Sequence, residues 1–380
     1  MKAVIAIDSL KGSLTSLEAG EAAAKGIRRA DAASEIVIRP LADGGEGTVD
    51  ALIRGMNGIF QSVTVTGPLG TPVNCTYGII GATQTAVLEM AGAAGLTLVP
   101  KEKRNPLFTT TYGVGEVIMD AIKKGCRRFI VGIGGSATND GGAGMLQALG
   151  FDFLDKEGRQ IPFGAHGLKV LDFIGTGHVI PELSECEFRV ACDVTNVLCG
   201  EQGCSAVYGP QKGASSAMVR DMDEWMEQYA RTAGRTYPLA DSYQAGTGAA
   251  GGLGFAFLTF MNAVLESGVQ IVLEETRLEE YIKDADIVVT GEGRLDGQTA
   301  MGKAPIGVAQ LAKKYGKPVI AFAGCVSKDA SECNQNGIDA FFPILREAVT
   351  LKSAMEPEIA RANMADTAEQ VFRLLALKRM

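Results

Sequence analysis

Residues 129–145 read F-I-V-G-I-G-G-S-A-T-N-D-G-G-A-G-M, and no other stretch restricts the fold as strongly. An apolar run (Phe129, Ile130, Val131, Ile133) breaks into a loop holding Gly132, Gly134, Gly135, Gly141, Gly142 and Gly144. The next segment, up to Gly150, has helical spacing and ends on a residue suited to a helix C-terminus. A strand, a glycine-rich loop and a helix N-terminus in succession turn backbone N–H groups towards an anion. Glycine lacks the Cβ that would hold a phosphate off the backbone. Ser136, Thr138, Asn139 and Asp140 stand among the glycines and can serve a phosphate and its metal. A plain tight turn also uses glycine, but six glycines with four small polar residues in thirteen positions favour an anion cradle.

The chain ends repeat that texture. Ala3–Ile7 reads as a buried strand, residues 16–29 as a helix capped by Ser13 or Ser16, and residues 35–39 as a second strand. After Tyr281 strands and helices alternate again: strand 286–290, loop 291–303, helix 306–315, strand 319–323, strand 338–344 and a helix from about Asn363. Between them, short alternating runs at 62–66, 73–80 and 85–90 suggest antiparallel or mixed sheet. The expected fold class is therefore α/β with two domains. One is a discontinuous, Rossmann-like parallel-sheet domain (1–60 and 281–380); the other is an inserted α/β domain with a mixed sheet (61–280). The glycines at 246–254 fit a hinge or close helix packing, and packing is the expectation.

Composition narrows the function classes. A net charge of −8 without a basic tract argues against nucleic acid or an anionic membrane as partner. Eight cysteines without a CxxC pair, and only two histidines, argue against zinc. No apolar run approaches the ~18 residues of a membrane span, and no signal peptide is evident, so a cytoplasmic protein with reduced thiols is expected.

Further loops follow strands. Asp43-Gly-Gly-Glu-Gly-Thr48 places two acids where Mg²⁺ or a substrate hydroxyl is held, or where an Asp caps a helix. Cys192-Asp193-Val-Thr-Asn196 closes another strand, and Gly209-Pro-Gln-Lys-Gly213 presents Lys212. Ser9 and Lys11 form a small anion-binding candidate. Arg294, Asp296, Gln298 and Lys303 gather in one polar segment, suited to a carboxylate or phosphate. Its Gly297-x4-Gly302-Lys303 is a near miss for a P-loop, because Ala304 stands where Ser or Thr should hold the metal. No G-x-G-x-x-G follows the first strand with an acid about 20 residues later, no G-x-S-x-G elbow occurs, and His166 and His178 read as structural or exposed.

Taken together, Asp8-Ser-x-Lys11, Ala42–Thr48, Gly132–Gly144, Ala191–Asn196, Gly209–Ala214 and Gly291–Pro305 resemble the type-1 glycerate kinase family, in order and over the whole chain. Leu10 departs from the aromatic common after Asp-Ser there, and Gly297 from a Ser. The resemblance implies ATP-dependent phosphorylation of D-glycerate, most simply at the 2-hydroxyl, within organic-acid (glucarate, galactarate, glyoxylate) catabolism. Phosphorylation at the 3-hydroxyl, another small hydroxy acid, or a non-catalytic sensor of a sugar acid or nucleotide are the alternatives.

On that reading ATP phosphates rest on Gly134, Gly135, Ser136, Thr138, Asn139, Gly141 and Gly142, helped by Lys212. Mg²⁺ is shared with one or more of Asp43, Asp140 and Asp193. Ser9, Lys11, Arg294, Asp296 and Gln298 bind substrate, with Arg294, Lys303 and Lys11 also acting on the moving phosphoryl group. Asp193 is the first choice of general base and Asp43 the second. A homo-oligomer is compatible with all of this.

Overall fold

The computed structural model describes residues 1–45 and 47–377, so Glu46, the second acid of the Asp43–Thr48 motif, lies outside the described residues. The chain is α/β and forms two compact units: residues 1–43, 50–56 and 269 onward in one, residues 44–49 and 57–268 in the other.

The first unit is built on a five-stranded parallel sheet. Its spatial order is Ala340–Pro343, Val319–Val326, Ile287–Leu295, Lys2–Ile7, Glu35–Ile38. From the Lys2–Ile7 strand the chain moves to one side for Glu35–Ile38, and the later strands add on the other side. The order therefore reverses between Lys2–Ile7 and Ile287–Leu295, and crevices in such sheets open at the carboxyl ends of the strands flanking that reversal. Ala3, Ile5 and Ile7 are buried with Ala19, Ala23 and Ile27 of the Ser16–Ala30 helix and Met364, Ala368 and Phe372 of the Pro357–Leu377 helix. The Ala304–Lys314 helix also packs on the sheet.

Residues 269–280, which the change of texture placed in the insertion, belong with this unit. Gly307 lies so close to Val269 that a Cβ there would meet its side chain at 2.4 Å. The final helix starts at Pro357, earlier than its apolar spacing suggested. The larger difference is at residues 291–295, expected as loop: the strand runs from Ile287 to Leu295 and stays in register with Val319–Val326 to its end. Glycines in an alternating run suggested a break, but cross-strand pairing overrides that local preference.

The first helix is capped by Thr15 rather than Ser13 or Ser16. Thr15 Oγ1 accepts the Glu18 N–H at 3.3 Å, and the Glu18 carboxylate accepts the Thr15 N–H at 2.9 Å. Ser16 instead donates to Ile7 O at 2.7 Å and accepts Leu41 N–H at 2.9 Å, tying the ends of two strands together. Loss of the cap in Thr15→Ala should cost about 1 kcal/mol, read as a lower urea midpoint with unchanged m-value.

The second unit holds a six-stranded mixed sheet, ordered Val264–Glu266, Glu187–Ala191, Arg128–Gly132, Thr85–Glu89, Pro72–Ile80, Ile59–Thr66. The first four strands are mutually parallel and the last two add antiparallel. A separate hairpin pairs Asp152–Leu154 with Phe173–Gly175. Trp225, on the Ser216–Gly234 helix, packs at the edge of this unit's core with its ring centroid 6.0 Å from that of His166. All eight cysteines are free, and no helix among the described residues is long and apolar enough to cross a membrane.

Candidate functional site

In the first unit a cavity of about 470 Å³ opens at the point of strand reversal. Its polar side carries Asp8, Ser9, Lys11, Asp43, Glu292, Arg294, Asp296 and Lys303, and its apolar side includes Leu10, Ile344, Leu351 and Met355. Strands and helix starts place the polar residues. Asp8, Ser9 and Lys11 follow the Lys2–Ile7 strand, and Asp43 follows the Glu35–Ile38 strand. Glu292 and Arg294 sit two apart on the same strand and so share one face. Asp296 caps the short Gly297–Ala300 helix through the Thr299 N–H at 3.1 Å, and Lys303 begins the Ala304–Lys314 helix.

Pairing inside the cavity is extensive. Lys11 Nζ lies 3.5 Å from Asp43 Oδ2, and Arg294 Nε lies 3.5 Å from Asp296 Oδ2. The Thr299 hydroxyl donates to Glu292 Oε1 at 2.6 Å. Both ion pairs are partly exposed and contribute little to stability, which leaves their cations exchangeable to an incoming anion. Asp43, expected as a metal ligand or base, lies in this cavity and pairs with Lys11. Gln298 is exposed and is not among the residues lining the cavity, so its expected place beside substrate is not borne by the geometry.

Asp8 and Glu292 were not among the expected site residues. Asp8 is 5% exposed and Ser9 N–H donates to its Oδ1 at 2.6 Å. Burial first, then the neighbouring charges of Asp43 and Glu292, push its pKa up to about 7 against the pull of Ser9 N–H and Lys11. Burial also raises Glu292. An acid directly after the first buried strand was the available signal for Asp8. For Glu292 the signal was hidden by reading its strand as loop.

In the second unit the glycine loop has two halves. Gly134 and Gly135 are exposed, and a Cβ at Gly134 would meet nothing within 4 Å. From Ser136 to Gly144 the loop is buried. Asp140 sits inside it as the acceptor for Thr111 N–H (2.8 Å), Thr111 Oγ1–H (2.8 Å), Gly142 N–H (3.2 Å) and Gly144 N–H (3.3 Å). The carboxylate expected to hold a metal lies inside the loop, and of the N–H groups expected to face a phosphate that of Gly142 faces Asp140. Gly141 and Gly142 are glycines for packing: both have positive φ, and a Cβ would strike the Tyr229 ring at 2.6 Å or Ala256 at 2.5 Å.

Lys212 is buried. Its Nζ donates to Ser136 Oγ at 2.8 Å and Thr138 O at 2.7 Å, and burial pushes its pKa down to about 8. It therefore braces the loop from within. Asn139 Nδ2 donates to Ser205 Oγ at 2.9 Å. The second glycine cluster packs on the first: Gly141 N–H donates to Gly251 O at 3.0 Å, and a Cβ on Gly251 would meet Thr138 O at 2.1 Å. Asp193 is exposed at the end of the Glu187–Ala191 strand, with Gly268 N–H donating to its Oδ1 at 3.3 Å. Thus the structure gathers Ser9, Lys11, Asp43, Arg294, Asp296 and Lys303 in one cavity of the first unit. The glycine-loop residues, Lys212, Asp140 and Asp193 belong to the second.

Known proteins share this organisation. A sequence model of the glycerate kinase family matches residues 3–376. A glycerate kinase of Haemophilus influenzae is 48% identical over 378 residues, covering all of both chains. A glycerate 2-kinase of Escherichia coli is 49% identical over 354 residues, 93% of each. The crystal structure of a putative glycerate kinase 2 from Salmonella typhimurium superposes with a TM-score of 0.93 at 45% identity, covering 100% of this chain and 99% of that one. Matched along almost its full length in both sequence and fold, this chain belongs to the glycerate kinase family and is a kinase.

Proposed function

We propose that this kinase transfers the γ-phosphoryl group of ATP to the 2-hydroxyl of D-glycerate, giving 2-phospho-D-glycerate and ADP, as a step in organic-acid catabolism. The carrying observation is the cavity at the strand reversal, where Lys11, Arg294 and Lys303 face an acidic edge. Arg294 and Lys303 would hold the acceptor's carboxylate, with Lys11 released from Asp43 towards the moving phosphoryl group. Phosphoryl transfer asks a protein mainly for positioning and charge neutralisation, which three cations beside a carboxylate-binding cavity can supply.

The nucleotide phosphates are assigned to the exposed Gly134–Gly135 turn, which Ser136 and Lys212 brace from below. No group of three or more His, Cys, Asp or Glu among the described residues is arranged to hold a metal. Mg²⁺ binds through one or two carboxylates plus phosphate oxygens and water rather than a protein cage, so a single carboxylate would suffice here. Asp193 is the proposed carboxylate, and the ion would offset charge on the phosphates. The E. coli relative's name favours the 2-position.

Coupled ADP release with D-glycerate, tartronate and hydroxypyruvate as acceptors tests the activity, and D-glycerate should give the highest kcat/KM. Proton-coupled ³¹P NMR tests the position: a phosphate on the methine carbon gives a doublet, one on the methylene a triplet. A triplet, or ADP release with none of the acids, defeats the reading.

A further inference from the structure

We propose that Asp8 is the general base of the transfer, accepting the proton of the acceptor hydroxyl on Oδ2; this rests on the assignment of the first unit's cavity to the acceptor acid. Four carboxylates line that cavity, and three of them are tied to other groups. Asp43 pairs with Lys11, Glu292 accepts the Thr299 hydroxyl, and Asp296 caps a helix with one oxygen while its other lies beside Arg294. No side chain among the described residues donates a hydrogen bond to the Asp8 carboxylate. Its one hydrogen bond comes from the adjacent Ser9 N–H to Oδ1, which leaves Oδ2 for a ligand in the cavity it lines.

Its placement is also firmly fixed. Asp8 continues a strand whose Ala3–Ile7 side chains are at most 1% exposed, and its own N–H donates to Gly291 O at 2.8 Å. A base fixed on a core strand holds its angle to the acceptor better than one on an exposed loop such as Asp193. The groups facing it are Lys11 from the following loop, Asp43 from the loop after the neighbouring strand, and Glu292 from the strand on its other side. Burial first, and then two neighbouring acids against one cation, keep its proton affinity near neutrality, where a general base is most effective.

The step balances. The acceptor oxygen forms its bond to the γ-phosphorus as its O–H bond breaks and the proton passes to Asp8 Oδ2. The bond from that phosphorus to the bridging oxygen breaks, and its electron pair stays on ADP. The proton leaves Asp8 for solvent when product departs.

The test compares wild type with Asp8→Asn and Asp8→Glu by single-turnover rapid quench with ATP, Mg²⁺ and D-glycerate from pH 5.5 to 9. General-base catalysis typically contributes ~10²–10⁴-fold, so Asp8→Asn should transfer at least about a hundredfold more slowly at pH 8. Glycerate affinity should change less than about threefold. Below about pH 7 the wild-type rate should fall with each unit of acidity while the Asn variant stays flat, because only the ionised carboxylate accepts a proton. Titration of the nucleotide is common to both proteins and cancels in their ratio. Asp8→Glu should recover part of the rate and keep an acid limb, which a purely structural defect would not do. A pH-independent ratio, a wild-type rate without an acid limb, or loss of that limb in Asp193→Asn instead overturns the assignment. Should the wild type phosphorylate no hydroxy acid, the parent reading fails; activity with a flat ratio removes Asp8 alone.

Discussion

Asp140→Ala should lower the stability of the second unit by about 3 kcal/mol, a fall of roughly 6–12 °C in melting temperature for a unit of this size. Four donors converge on the Asp140 carboxylate, three of them backbone N–H groups in buried surroundings. A buried donor left without a partner costs ~1–3 kcal/mol, so even the low end for three groups gives that figure. Burial raises the pKa of Asp140, which means the charge itself is held at a cost, and its removal offsets part of the loss. Asp193→Ala is the control. Asp193 is exposed, with Gly268 N–H donating to it at 3.3 Å, so its substitution should cost far less than that of Asp140. Thermal melts of both variants without nucleotide or metal separate two roles. An organiser of the loop is missed in the empty protein, whereas a metal ligand is not. Equal melting of Asp140→Ala and wild type would return Asp140 to the metal.

That contrast marks how far residue order can be read. The strand–loop–helix unit at 128–148 was legible because apolar runs and glycines are local signals. The task of Asp140 was not, since its main partner, Thr111, is 29 positions away and nothing in the spacing links them. The same holds in the first unit. Lys11, Arg294 and Lys303 stood out as cations in polar segments. Asp8 gains its character when the parallel sheet buries it and brings Asp43 and Glu292 beside it from 35 and 284 positions away. Gly291–Leu295 was read as loop because its glycines are a local cue, while the strand's pairing with Val319–Val326 is not. Local chemistry gave the fold class and most of the cavity's charged residues. Partnerships set by topology decided which of them pair with one another and which residue braces the glycine loop.

Glycine shows the same limit in one matched pair of substitutions, Gly26→Ala and Gly234→Ala. Both residues lie in long helices, Ser16–Ala30 and Ser216–Gly234, and propensity alone favours alanine at each by up to ~1 kcal/mol. At Gly234 a Cβ would meet nothing within 4 Å, so that gain should appear as a neutral or slightly raised melting temperature. At Gly26 the new Cβ would stand 2.0 Å from Ala365 O and 2.9 Å from the Ala368 Cβ, on the Pro357–Leu377 helix. An obstructing backbone carbonyl cannot rotate away, so the two helices must part by more than 1 Å, on the order of the overlap that hard-core contact forbids. Parting them loosens Ala23 and Ile27 from Met364 and Ala368, which are all but closed to solvent in one apolar cluster. Overpacking of this kind costs ~1–3 kcal/mol or more, and a rigid obstacle puts Gly26 at the upper end. Net of propensity, Gly26→Ala should destabilise by about 2 kcal/mol, seen as a lower denaturant midpoint, while Gly234→Ala moves the other way or not at all. Shifts of equal sign and size would show that these two helices are not held at the separation that only a glycine allows.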